Sequence, residues 1–259
     1  MVTIAVYLFI AGGISAVVGL SLQMIGNATF SHFKIHDTKE LAALAGLRIS
    51  AIFAIAAGLI FSGSHTHFVE AKRDLLEEAR LIGTMYVLVS DAPEFPNSRT
   101  IKAKLSEYTQ VSAAELNNPK GANRTPEAIN KLLVEICKLT APDLKGAISA
   151  TIWLRTQLEN SCSKLIELRG KKRIWSLTNS VETPFWIFFS ISFGFLAFLL
   201  GVFEKKLLNI MFAALFYFAA GATATLIFWM GDPYHGPTRI ASTPLTQLAA
   251  KMDAIEKGQ

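Results

Sequence analysis

Residues 49–82 read ISAIFAIAAGLIFSGSHTHFVEAKRDLLEEARLI. The 21 positions from Ile49 to Val69 carry no Lys, Arg, Asp or Glu. About 20 apolar residues at a rise of about 1.5 Å each cross a hydrocarbon core of about 30 Å, so this half predicts a transmembrane helix. From Glu70 to Ile82 the chain turns to strong helix formers and charges of both signs without a Gly or Pro, which predicts that the same helix continues past the membrane. On either side, three further windows lack all four charged residue types: Met1 to Phe33, Thr183 to Phe203 and Leu207 to Gly231. Each is long enough to span a bilayer.

Composition agrees with a membrane protein. Of the 259 residues 51% are apolar and 17% charged, against about 25% charged in ordinary soluble domains. The mean hydropathy is +0.38. The net charge of +5 follows topology rather than a nucleic-acid-binding patch. Residues 70–182 hold 17 Lys and Arg and the tail after Gly231 holds Arg239, Lys251 and Lys257, whereas only Lys34, Lys39, Lys205 and Lys206 fall between paired spans. The positive-inside rule therefore predicts a cytoplasmic central segment and cytoplasmic termini in a multi-pass plasma (inner) membrane protein. The basic run Arg169-Gly170-Lys171-Lys172-Arg173 before the third span reads as a flank touching anionic headgroups.

The first span has no positive charge before it and a long apolar run, which predicts a retained helix rather than a cleaved signal. Asn27-Ala28-Thr29 fits the glycosylation pattern in the outer loop expected at about residues 27–38. Asp37 with Glu40 resembles a capping box opening the second helix. Cys137 and Cys162 lie 25 residues apart and form no CxxC unit, so they read as small core residues without a disulfide or a metal.

Residues 91–97 (DAPEFPN) and 117–121 (NNPKG) are turn clusters with one helix between them. Thr125-Pro126 opens another helix, whose Ile129, Leu132, Leu133 and Ile136 recur at i, i+3, i+4, i+7. Pro142 starts a long helix with an expected stripe of Leu144, Ile148, Ile152, Leu158 and Leu165. Beyond these lies an aromatic-rich hairpin holding eleven of the 18 Phe, with Glu204-Lys205-Lys206 as its tight connection and Trp186 and Trp229 as interfacial anchors. Asp232-Pro233 and Gly236-Pro237 end it, and Leu245, Leu248, Ala249 and Met252 predict a short amphipathic helix, packed on the extended second helix or laid on the membrane.

Enzyme signatures are absent from the sequence: there is no GxSxG, GxxxxGK[ST], HExxH or GxGxxG. His65 and His67 would point about 200° apart on a helix, which does not suit one ion. Glu77-Glu78 reads as a solvated helix face. The second span is more informative. Gly46, Ser50, Ala54 and Gly58 recur every four residues, a small-residue ladder that predicts a helix-packing face. Arg48, Ile52, Ile55 and Leu59 cluster opposite, with Thr66 continuing the stripe, and this face meets either lipid or a pore. Around an axis of several protomers, Arg48 would gather anions and the aliphatic rings would form a constriction gated by wetting. Otherwise Arg48 snorkels to headgroups and the aliphatic residues meet lipid.

The order of hairpin, helical insert, hairpin and tail resembles the bacterial bestrophin-like family, long treated as a four-span domain of unknown function. The resemblance rests on Glu77-Glu78-Ala79-Arg80-Leu81-Ile82-Gly83-Thr84-Met85-Tyr86, on Asp232-Pro233-Tyr234-His235-Gly236-Pro237 and on Ile240-Ala241-Ser242-Thr243-Pro244-Leu245. Tyr234 and His235 depart from the Pro-Phe-x-Gly usual in the family. Bestrophins proper are homopentameric anion channels constricted at a second-helix neck, so the resemblance implies a homo-oligomer, a pentamer by analogy, with small inorganic anions as its cargo. Ile49 and Phe53 fit the neck spacing and Ala57 breaks it. Asp232, Asp253 and Glu256 are too scattered to suggest a calcium clasp.

Together these readings predict an all-α integral membrane protein with four transmembrane helices in two hairpins. Its segments are an N-terminal hairpin (1–63), a cytoplasmic helical bundle (64–182), a C-terminal hairpin (183–231) and a cytoplasmic tail (232–259). The expected function is an anion channel lined by the second helix. The alternative is a non-conducting scaffold or sensor whose bundle binds a partner. Its partners are the bilayer and copies of itself, with no cofactor, metal or nucleic acid expected.

Overall fold

Every element among the described residues of the computed structural model is an α-helix. Residues 2–32, 39–117, 126–141, 149–177, 183–202, 207–234 and 239–258 are described, and among them there is no strand. The helices are α1 (Val2–His32), α2 (Lys39–Ser90), α3 (Ser98–Asn117), α4 (Pro126–Leu139), α5 (Ser149–Leu177), α6 (Thr183–Leu200), α7 (Leu207–Gly231) and α8 (Thr243–Glu256). Among the described residues α1, α2 and α7 are long and apolar enough to cross a membrane. The expected third span is shorter than its charge-free window, because α6 ends at Leu200 in a turn where Gly201 and Val202 donate back to Phe198 and Leu199. The expected capping pair at Asp37, the N-cap Thr125, the helix start Pro142 and the Glu204-Lys205-Lys206 connection lie outside the described residues.

The chain divides into two compact units, Met1–Phe68 with Asn179–Arg239, and Val69–Thr178 with Ile240–Gln259. α2 contributes to both. In the first unit α1 packs along α7 and α6. Lipid supplies no hydrophobic drive between helices, so close approach at small residues does the work. Gly12, Gly19 and Gly26 repeat every seven residues of α1, against the rings of Phe218 and Tyr217 and the backbone of Phe198 respectively. The core is Ala197, Ala213 and Tyr217, wrapped by Ala16, Leu20, Phe193 and Phe216. The last carbonyls of α6 have no partner within their own helix. Asn27 Nδ2 donates to Gly201 O at 2.9 Å and Gln23 Nε2 to Leu200 O at 3.4 Å, so α1 caps α6. Asn27, expected in a loop, thus sits inside α1 with its amide engaged.

In the second unit the expected stripe of α4 is the observed core face, with Ile129, Leu132, Leu133 and Ile136 all buried. α4 packs on α3 and α5, and the buried core of this unit also holds Ile101, Leu105 and Tyr108 of α3, Leu75, Ile82, Met85 and Val89 of α2, and Leu158 and Leu165 of α5. Ile152 departs from expectation and is exposed. It lies six residues before Leu158, about 120° round the helix, and the true stripe begins at Leu154. Leu144 and Ile148 are outside the described residues. The turn between α2 and α3 buries Phe95 and places Asn97 at φ 63°, a left-handed conformation that Asn tolerates better than most residues. α8 packs on α3, and it touches α2 where Leu248 nears Gly83 and where Tyr86 Oη donates to Met252 O at 3.4 Å, so its main partner is α3 rather than the stalk expected for it.

The bridge between α4 and α5 is a second departure. Cys137 and Cys162 form a disulfide with their Cα atoms 5.6 Å apart. Spacing in sequence does not oppose this, because the intervening residues are enough for two helices to lie side by side.

Candidate functional site

The membrane half of α2 has a covered face and a bare one. Phe53, Ala57 and Ser64 are buried within the unit, and Phe53 rests on Phe189 of α6 with ring centroids 4.8 Å apart. Phe189 in turn stacks with Phe193, and Phe193 meets the edge of Tyr217 of α7. Trp186 contacts Phe189 and Phe228. Much of the aromatic surplus of the second hairpin is therefore the packing that holds α2 by this one face.

Opposite it stand the predicted stripe residues. Ile52, Ile55 and Leu59 are 58%, 65% and 69% exposed, and Arg48 and Thr66 are exposed with them. At about 100° per residue these five lie within about 40° of Arg48, whereas Phe53 and Ala57 lie about 140–180° away. The structure brings the five onto one face and covers none of them. Thr66 Oγ1 is turned back to Ser62 O at 2.9 Å. Ile49 is half-buried, and Phe53 and Ala57 are buried in the chain's own packing, so the series Ile49, Phe53, Ala57 does not line the bare face.

Within this chain the small-residue ladder is covered only at its outer end. Gly46 approaches Leu196 of α6 and Ser50 is half-buried, but Ala54 and Gly58 are exposed and nothing comes within 4 Å of a Cβ placed on Gly58. A strict four-residue repeat drifts about 40° per step on a helix of 3.6 residues per turn, so by its third step it has left the packed face. Phe53 and Ala57 take over there. Gly46 and Ser50 border a crevice of about 470 Å³ with Gln23, Leu196, Asn209 and Phe216.

The second unit holds a buried polar cluster that sequence reasoning placed in solvent. Glu78 is 4% exposed and accepts from Tyr108 Oη at 2.6 Å, while its neighbour Glu77 is the surface residue, paired with Arg80 and Lys164. Arg169 is 6% exposed and lies 2.8 Å from Glu115, and Lys172 Nζ lies 2.7 Å from the same carboxylate. Two members of the supposed lipid-facing flank are therefore turned inward. They share the face of Leu165 and Leu168 at i+3 and i+4, which the buried side of α5 imposes. The side chain of Arg173 is outside the described residues.

The electrostatics of this cluster follow its burial. Burial pushes the Glu115 carboxyl up, but the Lys172 and Arg169 charges and hydrogen bonds outweigh it and hold the group below its ordinary value. Burial, then the Arg169 charge, lower Lys172. Burial and the Glu78 charge push the Tyr108 phenol well up, so it stays a donor. Arg169 Nη1 is buried without a hydrogen-bond partner among the described residues. His65 and His67 are both exposed, and no group of three His, Cys, Asp or Glu among the described residues could hold a metal ion.

The family model of the bestrophin-like domain matches residues 13–245. Among solved structures, mutants of a bacterial bestrophin homologue from Klebsiella pneumoniae share the fold. One aligns with TM-score 0.73 at 13% identity, covering 95% of this chain and 98% of that chain. Another gives 0.72 at 14% identity over the same shares. No curated protein matches the chain at a significant level.

Proposed function

The chain belongs to the bestrophin-like family, whose known members are anion channels, and we propose that it is a homo-oligomeric membrane pathway for small anions lined by α2. The single observation that carries this reading is the bare face of α2. One helix turns Arg48, Ile52, Ile55, Leu59 and Thr66 to the same side, away from the aromatic packing that anchors it. Copies arranged around an axis with this face inward place the Arg48 guanidinium groups as a cationic ring, which raises local anion concentration. Below it, stacked rings of Ile52, Ile55 and Leu59 offer no hydrogen bonds to water and would close by dewetting. The number of copies is five by analogy with bestrophins proper. In this reading α6 is the fourth span, residues 64–182 and the tail are cytoplasmic, and the protein sits in the plasma (inner) membrane, as the charge bias asks.

The test is anion flux from liposomes holding the purified protein, beside Arg48→Glu and a protein-free blank. Flux above the blank whose anion preference falls in Arg48→Glu supports the pathway and its mouth. An unchanged reversal potential in that variant removes Arg48 from the pore, and no flux from folded protein removes conduction.

One observation favours a second reading, a scaffold whose bundle docks a partner. Ile152 and Trp153 stand exposed on adjacent positions of α5, with Trp153 beside a small cleft formed with Leu88, Phe95 and Leu154. Loss of a co-purifying partner in Trp153→Ser, in protein without flux, would favour it.

A further inference from the structure

Two observations bear on the same pair of sulfurs. The first is geometric. Cys137 sits in the last turn of α4 and is half-buried, while Cys162, bonded to it, is buried in the middle of α5. Thr140 Oγ1 lies 3.7 Å from Cys162 Sγ and within hydrogen-bond reach of Cys137 O at 2.9 Å. The two ends of the bridge are therefore unequal. Cys137 is the less buried residue and the end a reductant reaches first, and Cys162 leaves beside the Thr140 hydroxyl, which can turn from Cys137 O to donate to the thiolate.

The second observation is the compartment. The charge bias that orients this protein assigns the bundle to the cytoplasm, where thiol buffers keep dithiols reduced and bridges that do form are transient, redox-sensing or catalytic. A permanent structural bridge does not suit that side of the membrane, and a dithiol pair held at bridging distance does. We propose that Cys137 and Cys162 are a reversible thiol switch, opened by a protein dithiol or glutathione-type thiol and closed by a disulfide oxidant. This rests on the cytoplasmic placement given under the proposed function.

A reductant thiolate attacks Cys137 Sγ, the Cys137–Cys162 bond breaks, and Cys162 leaves as a thiolate that takes up a proton. A second reductant thiol attacks the mixed disulfide and frees Cys137, so two electrons and two protons pass from reductant to protein and the reductant ends as a disulfide. Closing runs the same steps backward against an oxidised low-molecular-weight disulfide. The element that answers is α4. In the bridged structure its core face is buried and Lys104 pairs with Glu135 at 2.8 Å, and opening the bridge removes the covalent tie of its last turn to α5, the helix that carries Arg169 and Lys172.

The experiment uses cells making the full chain. They are quenched in acid, free thiols are blocked with a small alkylating reagent, and disulfides are then reduced and given a mass tag read on a gel. The expected result is an untagged band in unstressed cells that shifts to the doubly tagged position within minutes of diamide and returns when it is withdrawn, with no shift in Cys137→Ser or Cys162→Ala. A doubly tagged band that persists through a membrane-permeant reductant means a static bridge and overturns the proposal. An untagged band throughout diamide treatment overturns it from the other side, since the pair then never closes. Placement is read separately, with a Cys at position 257 (Lys257→Cys, both native Cys replaced) and a membrane-impermeant maleimide added outside. Protection there together with a static bridge sinks the switch alone. Labelling there sinks the placement, and the switch with it.

Discussion

Tyr108 donates to Glu78 across 2.6 Å where neither group meets water. Removing the donor leaves a buried carboxyl oxygen unsatisfied, which costs about 1–3 kcal/mol. Tyr108→Phe should therefore lower the thermal midpoint of the purified protein by several degrees. Glu115→Ala should do more. It strips the shared carboxylate from Arg169 and Lys172, and breaking a buried pair costs about 3–5 kcal/mol. The pH dependence has a definite sign. Glu77 is held down at about 2 by hydrogen bonds from Arg80 and then Lys164, and Glu115 is also below its ordinary 4.5. A lowered carboxylate contributes stability that is complete above its unfolded value and is lost as pH falls through the folded one. Melts between pH 5 and about 2 should show this loss, flattened in Glu77→Gln and Glu115→Gln. Glu77 and Glu78 could not be told apart as adjacent letters. Which of them is buried depends on α3 and α5 lying over one side of α2.

At the scale of elements, glycine placement separates packing faces from bare ones. A methyl on Gly26 would run into the backbone of Phe198, whereas one on Gly13 meets nothing within 4 Å. Gly26→Ala should lower the detergent melting stability by about 1–3 kcal/mol, because backbone cannot move aside as a side chain can. Gly13→Ala should be neutral or stabilising by up to about 1 kcal/mol from helix propensity. The seven-residue glycine repeat of α1 was open to reading in the sequence, since a seven-residue step returns to nearly the same face. The four-residue ladder of α2 was the more conspicuous pattern, and its own period carries it off the intrachain contact with α6. The amphipathic stripe of α4 was readable outright, as its Ile and Leu spacing matches the helix and only one face is apolar. The exposed end of the expected α5 stripe shows the limit of the same method, for a break in register of two residues turned Ile152 outward.

For the whole molecule, the decisive feature is that α2 is anchored by one face and bare on the other. If that bare face lines an axis, Ile55→Ser, which wets the constriction, should raise single-channel conductance in planar bilayers. A conductance no greater than that of the parent protein would take Ile55 out of the path. An all-helical membrane protein, its apolar helices and its family were written in composition, charge-free windows and a few short motifs. These are local quantities, and each residue reports its own hydropathy and helix preference whatever lies around it. Tertiary structure alone decided that Phe53 rather than Gly58 meets α6, that Glu78 and Arg169 are interior, that α1 caps the end of α6, and that Cys137 reaches Cys162. Each of these depends on which surfaces other helices cover, and a covered surface is set by contacts between residues tens to hundreds of positions apart, which no local pattern carries.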